Sequence, residues 1–280
     1  MEIWRAPYKW GADFEAVMIH ADVSSDLLDP SSWSITPGLA FDPRWLPAAF
    51  GTLQDPGYLE GNAVAGPDGT IFNILRFNSL PVLGNWAVKL RLNQTTNRLV
   101  FEKFLELPGG HTKFVIRRDN ETGLYYTLSN INDNLQYTDQ RNILVLCVSV
   151  DLDTWSTVQT LLVDDSGLSP RDSSRYTGFH YVDWQFDQDD ILAVIRTSYR
   201  GADSYHNSNR LTFKRIANFR SHSTRALIKL EVGPLGVIQG PQRYFETSLQ
   251  DYNITVPMRA SAVVITVTML LPREMATVDG

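Results

Sequence analysis

Short apolar and aromatic runs, separated by glycine, asparagine, aspartate and proline, follow one another along most of the chain. Runs of this length, rich in branched and aromatic residues and bounded by turn residues, predict β-strands. Long helical periodicity is nearly absent, and the one candidate, 45–53, contains a proline and a glycine that favour a loop or a single turn. The pattern therefore predicts an all-β protein. The predicted strands are 60–66, 70–77, 86–92, 99–107, 113–119, 124–130, 142–150, 157–163, 179–186, 191–199 and 210–216.

One turn-and-strand unit recurs along the sequence. PDGTIFNILR (67–76) and DQDDILAVIR (187–196) each place acidic or glycine turn residues before an apolar strand that ends in arginine, and DNETGLYYTLSN (119–130) lies between them. A repeat of roughly 50 to 70 residues built from four short strands is typical of a β-propeller blade. The predicted blades take their strands from 60–107, from 113–163, and from 179–216 with 225–232 as the closing strand.

A second repeat is a polar turn that ends in tryptophan. SVDLDTW (149–155) lies between the third and fourth strands of its predicted blade, and SSDLLDPSSW (24–33) has the same form. If both turns occupy the same position, 16–23 and 34–41 are the third and fourth strands of an earlier blade. The aspartates are then expected to accept backbone N–H groups within their turns, and the tryptophans to pack. We predict a structural role, on the outer rim, for Ser24, Asp26, Trp33, Ser149, Asp151 and Trp155.

These turns resemble the Asp-box of the sialidase-like β-propellers, Ser-x-Asp-x-Gly-x-Thr-Trp, although both copies lack the glycine. Residues 16–220 are similar to the BNR-repeat, sialidase-like family, and the similarity is carried by EGNAVAGPDGTIFNILR (60–76), GGHTKF (109–114), RNILVLCVSVDLDTW (141–155) and YHNSNRLTFKRIANFR (205–220). The resemblance implies four-stranded antiparallel blades in residues 1–220, a carbohydrate ligand and an extracellular location. The sialidase Arg-Ile-Pro motif is absent. The recognisable strands form about three and a half blades, too few for a closed ring.

Residues 221–280 match nothing in that family, and we treat them as a C-terminal extension of uncertain structure. Since three and a half blades cannot close, we expect either an N-terminally incomplete member of the family or a ring that residues 221–280 complete. The composition of 221–280 is as typical of a misread exon as of a β-rich extension.

Composition narrows the class of ligand. The 280 residues carry a net charge of −6, are 11% aromatic and show no basic stripe, which argues against a nucleic-acid partner. Aromatic richness suits sheet packing or stacking on sugar faces. The single cysteine, Cys147, excludes an intrachain disulfide framework and a cysteine zinc cluster. No spacing typical of a metal site is present, and we predict no metal and no cofactor. The apolar run 261–271 is too short for a membrane helix, so no membrane partner is predicted; the oligomeric state is left open.

In a propeller, the first strand of each blade lines the central channel, and the loops between second and third strands lie on one face of it. Four side chains from such segments are candidates for catalysis. Glu60 and Asp183 open or occupy first strands of different blades and form the carboxylate pair that glycosidic cleavage needs. Tyr181 lies beside Asp183 and is a candidate nucleophile, as in sialidases, where tyrosine replaces the usual carboxylate. His206 lies in a polar loop after a second strand and is a candidate base. Each of these side chains has an alternative structural interpretation, as an ion-paired acid or a packed ring.

Cationic and amide side chains are the candidates for substrate binding. Arginines at the ends of second strands can form forked contacts with a sugar carboxylate, or ion pairs between blades. Lysines that enter the channel and asparagines on the same face are candidates for sugar contacts. The predicted binding residues are Arg76, Arg196, Arg141, Lys89, Lys113, Asn62, Asn130 and Asn209.

Three functions remain open at this point. The first is a glycoside hydrolase related to sialidases that acts on an acidic or decorated glycan. The second is a polysaccharide lyase in which His206, Tyr181 and Arg196 abstract the proton beside a uronate carboxylate and neutralise its charge. The third is a protein without catalysis, either a propeller that binds glycans or a degenerate propeller fragment, since fold alone does not establish function.

Overall fold

The structure is a computed structural model that describes residues 2–3, 9–79, 84–137, 139–226, 228–233 and 264–269. Its strands are β1 (Glu2–Ile3), β2 (Glu15–Ala16), β3 (Ile19–Ala21), β4 (Trp33–Ile35), β5 (Leu39–Ala40), β6 (Gly57–Ala65), β7 (Ile71–Asn78), β8 (Trp86–Asn93), β9 (Arg98–Glu106), β10 (Val115–Arg118), β11 (Tyr125–Asn130), β12 (Ile143–Ser149), β13 (Ser156–Val163), β14 (Gly178–Asp187), β15 (Asp190–Ser198), β16 (Arg210–Ile216), β17 (Ile228–Gly233) and β18 (Val264–Met269). Two helices, α1 (Pro170–Tyr176) and α2 (Phe219–Ala226), and three 3-10 turns, Pro30–Ser32, Pro43–Trp45 and Ala48–Phe50, complete the described elements.

The strands form successive antiparallel sheets in chain order. Sheet one is β6-β7-β8-β9, sheet two is β10-β11-β12-β13 and sheet three is β14-β15-β16. The first strand of sheet two contacts the first strands of sheets one and three, so the three first strands lie side by side. This is the arrangement of blades around a propeller axis. The prediction of an all-β propeller built from four-stranded antiparallel blades is confirmed, with boundaries within a few residues of those predicted.

The segment before sheet one contains the predicted pair of strands. β3 pairs with β4, and β2 pairs with β5, so 15–21 runs antiparallel to 33–40 across a break. β1 pairs with the other edge of β2. The interpretation of 16–23 and 34–41 as neighbouring antiparallel strands is confirmed. The interpretation of 45–53 as a loop is also confirmed, because this segment contains only two 3-10 turns, each begun after an N-cap or a proline.

The predicted closing strand of the third blade is wrong. Residues 225–232 include the end of α2 and most of β17, and β17 pairs with β18 in a separate two-stranded sheet. Strand propensity was correct for 228–232, but propensity does not specify the partner, which tertiary contacts decide. The division into 1–220 and 221–280 stays a prediction, because most of the second segment lies outside the described residues.

The strand pattern also missed helix α1. Ser169 caps it by accepting a hydrogen bond from the Asp172 backbone N–H at 3.2 Å, and Pro170 occupies its first position. Both residues are ordinary start signals for a helix. The helix follows β13 and leads into β14, so it belongs to the connection between sheets two and three.

The hydrophobic core consists of layers between neighbouring sheets. One cluster joins sheets two and three through Tyr126, Leu146, Trp184 and Ile195, all buried. A second joins sheets one and two, and a third covers the other face of sheet one with aromatic rings that contact the segment 41–50. Strands buried on both faces need near-continuous apolar residues, which explains why the runs in the sequence alternate so weakly.

The second tryptophan turn has the hydrogen bonds predicted for it. The Asp151 carboxylate accepts the backbone N–H groups of Asp153 at 2.8 Å and Thr154 at 2.7 Å. Leu152 adopts φ +64°, and its side chain is fully buried in the layer between sheets one and two. Trp155 is fully buried in the same layer. In the first copy, Asp26 accepts a hydrogen bond from Leu28 N–H, but the Trp33 ring remains 40% exposed.

This turn also connects two blades through an ion pair. Asp153 accepts from Lys89 Nζ at 2.6 Å, and the Lys89 side chain is only 3% exposed and lies over the Phe72 ring at 3.9 Å. Lys89 was predicted to bind substrate, but the structure places it on the third strand of sheet one, within this interface between sheets.

Changing Asp153 to asparagine is expected to lower the free energy of unfolding by about 2 kcal/mol, because the buried Lys89 ammonium loses its charged partner. Glu102 is the matched control, since its carboxylate is 3.8 Å from the same Lys89 Nζ. Glu102→Gln is expected to cost less than about 1 kcal/mol. Urea unfolding of both variants measures the difference, and equal losses would refute the inter-blade role of Asp153.

Candidate active site

The centre of the candidate site is a hydrogen bond between a tyrosine and a glutamate from different sheets. The Tyr181 hydroxyl, on β14, donates to Glu60 Oε1, on β6, at 3.2 Å. Both residues lie in β-bulges, where the register shifts between Tyr58 and Gly61 and between His180 and Asp183. Bulges redirect side chains out of the ladder and are frequent beside active sites. Tyr181 has φ +50°, a left-handed conformation that a non-glycine residue adopts only where the surroundings impose it.

Three arginines, Arg76, Arg141 and Arg196, surround this pair and are called here the arginine cluster. Arg76 Nη1 lies 3.2 Å from Glu60 Oε2. The guanidinium carbons of Arg141 and Arg196 lie 5.9 and 5.4 Å from the centre of the Tyr181 ring. Such distances correspond to cation–π contact. Three cations therefore converge on one phenol–carboxylate pair, Arg76 from sheet one, Arg141 from the loop before β12 and Arg196 from sheet three.

The two arginines that end second strands are not equivalent in register, contrary to the prediction. Arg76 lies opposite the bulge of β6, between the paired residues Leu75 and Phe77. Arg196 pairs directly with His180, one position beyond the bulge of β14. The sequence spacing between each hairpin turn and its arginine does not reveal this one-residue difference in register. The position of a bulge depends on how the strand packs against the neighbouring sheet.

Arg141 is held in place by the carboxylate of Asp139 and by the rings of His180 and Tyr205. Its side chain is 4% exposed, and Nη2 lies 3.2 Å from Asp139 Oδ1. Nη1 lies 3.4 Å from His180 Nδ1. Asp139 also accepts a hydrogen bond from the Tyr205 hydroxyl, and burial, with the charge of Asp139, raises the pKa of Tyr205 to about 12. Arg141 thus has a fixed position, and its buried Nε atom has no hydrogen-bond partner among the described residues.

The histidines around the cluster are neutral near pH 7. Burial and the charges of Arg141 and Arg196 lower the pKa of His180 to about 3. Burial lowers the pKa of His111 to about 4, with Arg76 and Arg141 adding to the effect against the opposing charge of Asp139. His206 is exposed, and partial burial and the same arginines lower its pKa as well.

Two predicted residues, Lys113 and Asp183, lie at the edge of the same region. Burial lowers the pKa of Lys113, and the charges of Glu60 and Asp183 act on it in the opposite direction. Asp183 itself is ion-paired with Arg117 at 3.0 Å and is 76% exposed. Lys113 is therefore the group electrostatically linked to both carboxylates that the sequence proposed as a catalytic pair.

The three predicted amides are engaged by backbone groups. Asn62 bonds Phe114 O and Ile116 N and so joins sheets one and two. Asn130 donates to three backbone carbonyl oxygens, and Asn209 both accepts from and donates to the backbone of Tyr199. These side chains hold strands and loops together. Sequence cannot reveal that an amide is used in this way, because the partners come from distant segments.

The charges around Tyr181 favour an anionic ligand. The arginine cluster contributes three positive charges, whereas Glu60 and Asp139 contribute two negative charges, and the neutral histidines add none. Burial would raise the pKa of Glu60, but the charge of Arg76 and hydrogen bonds from Arg76 and Tyr181 hold it below its ordinary value. Glu60 is therefore a carboxylate that can accept the Tyr181 proton, beside guanidinium groups that can bind an anionic group such as a carboxylate.

No protein-family model and no curated protein sequence matches this chain. Among solved structures, the chain is similar to an α-L-arabinofuranosidase from Fusarium graminearum in complex with an iminosugar inhibitor, at a TM-score of 0.41 and 12% identity, with 60% of this chain and 47% of that chain covered. An α-L-arabinanase mutant from Cellvibrio cellulosa gives 0.40 and 12%, covering 75% and 67%, and a β-1,3-galactosidase of glycoside hydrolase family 43 with galactodeoxynojirimycin gives 0.35 and 12%, covering 63% and 52%. The chain spans about half the length of the first and third of these proteins.

Several site residues had no clear signal in the sequence. His111, Asp139 and Tyr205 were not predicted, although His111 follows the glycine pair of GGHTKF. Gly109 adopts φ +81°, and a Cβ there would lie 2.6 Å from the Asn130 carbonyl oxygen. Glycine is needed where the backbone passes so close to another strand. The glycine pair of GGHTKF is therefore the sequence signal that could have drawn attention to His111.

Within the described ranges, no group of three or more histidine, cysteine, aspartate and glutamate side chains is placed to hold a metal ion. The helices among these residues include none that is long and apolar enough to cross a membrane.

The acid limb of activity is expected to depend on Arg76. Because Arg76 lowers the pKa of Glu60 and burial opposes it, Arg76→Met is expected to raise that pKa, so activity is lost at a higher pH as the solution is acidified. Arg44, a fully exposed arginine paired with Asp42, provides the control Arg44→Met. A pH profile of kcat measures the shift, and an unmoved acid limb in Arg76→Met would contradict the role of Glu60 as the ionised base.

Proposed function

We propose that this protein is a glycoside hydrolase that acts on a glycan bearing carboxylate groups, with the chemistry of the sialidase superfamily. The observation that carries the proposal is the hydrogen bond from Tyr181 to the ionised Glu60 inside the arginine cluster. Tyrosine serves as the nucleophile of sialidases, where a neighbouring base must accept its proton. Guanidinium groups bind a planar carboxylate through paired hydrogen bonds.

The proposed reaction has two steps. In the first, Tyr181 Oη attacks the anomeric carbon, its proton passes to Glu60, and the glycosidic C–O bond breaks as the leaving oxygen takes a proton from a solvent water. In the second, water attacks the anomeric carbon and releases its proton to solvent, and Tyr181 leaves and recovers its proton from Glu60. The arginine cluster holds the sugar carboxylate throughout, and this fixes the position of the anomeric carbon.

A lyase is the second candidate, and the position of His206 favours it. The His206 ring is exposed, its pKa is lowered, and its centre lies 6.4 Å from that of Tyr181. Arg196 Nη2 donates to the His206 backbone oxygen at 2.7 Å. Neutral His206 would take the proton beside a uronate carboxylate, the electron pair would form a C=C bond, and the leaving glycosidic oxygen would take the Tyr181 proton.

Incubation with sialylated and uronate-containing oligosaccharides tests the proposal. A hydrolase releases one new reducing end for each bond cut and gives no new ultraviolet absorbance. A lyase gives an unsaturated product that absorbs in the ultraviolet. Binding without product would support a non-catalytic glycan-binding propeller, and neither binding nor product would refute the acidic-glycan proposal. The extracellular location stays a prediction.

A further inference from the structure

A separate cavity of about 300 Å³ lies beside the candidate site, between the loop that follows β11 and the chain from β13 into α1. Gln140, which lines it, lies between Asp139 and Arg141 in the sequence, so the cavity and the arginine cluster share one loop. Its volume is at the lower end of the range for ligand pockets, about 300 to 1,000 Å³, and suits a single sugar ring.

The lining of this cavity differs in charge from the arginine cluster. Asp133 and Asp164 line it, and none of the described lining residues is a cation. The Gln140 amide is bonded at both ends to Asp133, at 2.7 and 3.2 Å, and holds the pocket wall in place. The buried Asn142 Oδ1 has no hydrogen-bond partner among the described residues, so it and the Asn134 amide offer hydrogen-bonding groups. The ring of Tyr137 provides an apolar face. Two carboxylates repel a second acidic sugar, whereas carboxylates, amides and an aromatic ring together suit the hydroxyl groups and apolar face of a neutral sugar.

We infer that this acidic pocket, lined by Asp133, Asn134, Tyr137, Gln140, Asp164 and Leu168, is a subsite for a neutral sugar unit. This inference rests on the proposed function. The arginine cluster takes the acidic unit, and the pocket takes a neutral unit of the same chain. The substrate class is therefore a heteropolymer that alternates uronic acid with neutral sugar, and a polymer of uronic acid alone is disfavoured.

The test compares two series of oligosaccharides of two, four and six units, one alternating uronic acid with a neutral sugar and the other made of uronic acid only. For the full chain, kcat/KM is expected to rise about tenfold from the shortest to the longest alternating oligosaccharide, equivalent to about 1.4 kcal/mol. The uronate series is expected to show no such rise. Tyr137→Ala is expected to remove the gain with length. Leu135, on the same loop, is 66% exposed and does not line the pocket, so Leu135→Ala is the control.

Leu168→Arg gives an independent test that does not depend on the Tyr137 loop. Leu168 is 43% exposed, so the substitution leaves the core intact, and it places a cation in the pocket. This variant is expected to reverse the preference towards the uronate series, measured by titration calorimetry with the alternating and uronate hexasaccharides. Equal gain with length in both series, or unaltered length dependence in both variants, would overturn the subsite while leaving the acidic-glycan site intact. Absence of binding to either series would overturn the proposed function with it.

Discussion

Tyr181→Phe is expected to lower kcat by about a thousandfold or more while the protein remains folded. The substitution removes one oxygen atom and keeps the ring, so the contacts of the ring with Arg141 and Arg196 are retained. What is lost is the hydroxyl that donates to Glu60 at 3.2 Å. If that oxygen attacks the anomeric carbon, no neighbouring group replaces it. Steady-state kinetics on the best acidic substrate, with circular dichroism as a check of folding, measure the effect.

Tyr199 supplies a matched control for this experiment. Its hydroxyl donates to the Asp165 carboxylate, so it forms the same kind of tyrosine–carboxylate pair. The pair is exposed, and the guanidinium groups near the Tyr199 ring are those of Arg200 and Arg210, outside the arginine cluster. Tyr199→Phe is expected to retain the kcat of the unaltered protein. Full activity in Tyr181→Phe, or equal losses in both variants, would rule out the nucleophilic role of Tyr181.

Asp119→Asn is expected to produce the largest loss of stability, about 3 kcal/mol in the free energy of unfolding. The Asp119 side chain is 4% exposed and binds Arg220 through two hydrogen bonds, each of 2.8 Å. This pair fastens the start of α2 to the loop between β10 and β11 of sheet two. An amide cannot offer two acceptor oxygens, so Arg220 would lose half of a buried bidentate pair.

The pH dependence of this loss provides a further check. Burial would raise the pKa of Asp119, but hydrogen bonds from Arg220 and Thr122 and the charge of Arg220 hold it below its ordinary value. A lowered pKa in the folded state stabilises the protein above the unfolded-state pKa, and this contribution disappears as pH falls through the folded-state pKa. The difference between the unaltered protein and Asp119→Asn is therefore expected to be constant near neutral pH and to shrink under acid conditions.

Glu121 contacts the same arginine and serves as the comparison. Its carboxylate lies 3.3 Å from Arg220 Nη1 but is 68% exposed. Glu121→Gln is expected to lower the free energy of unfolding by less than about 1 kcal/mol, because an ion pair with an exposed carboxylate is weakened by the surrounding water. Denaturant-induced unfolding of both variants at neutral and acid pH measures the two losses in the free energy of unfolding. A loss in Asp119→Asn no greater than in Glu121→Gln would show that the buried pair contributes little.

The strands and hairpins were predictable because their signals are local. The run 142–150 is apolar and bounded by polar residues, and the structure places β12 at Ile143–Ser149. The hairpin turn at DQDD likewise joins β14 to β15. Turn residues and apolar runs act over a few residues, so their effect can be read without knowledge of the rest of the chain. The tryptophan turn at 149–155 was predictable for the same reason.

The site was predictable only in part. Glu60, Tyr181 and the arginine cluster were identified as chemically capable residues, but their grouping was not, because Glu60 and Tyr181 lie 121 positions apart in the chain. The proposed carboxylate pair illustrates the limit. The residue of β14 that contacts Glu60 is Tyr181, which lies in a bulge at φ +50°, whereas the Asp183 carboxylate pairs with Arg117. The direction of a side chain at a bulge depends on the register of the sheet, which the sequence of one strand does not specify.

The sequence by itself determined the class of fold, the order of the strands and the set of reactive side chains available to a site. Only the tertiary structure decided that Lys89 forms an ion pair between sheets and that three asparagines bond the backbone. It also decided that Asp139 fixes Arg141 near the Tyr181 ring. The physical reason is the difference in sequence separation between the residues that interact. Strand formation follows from neighbouring residues, whereas charge pairing and burial depend on which distant segments the packing of successive sheets brings together.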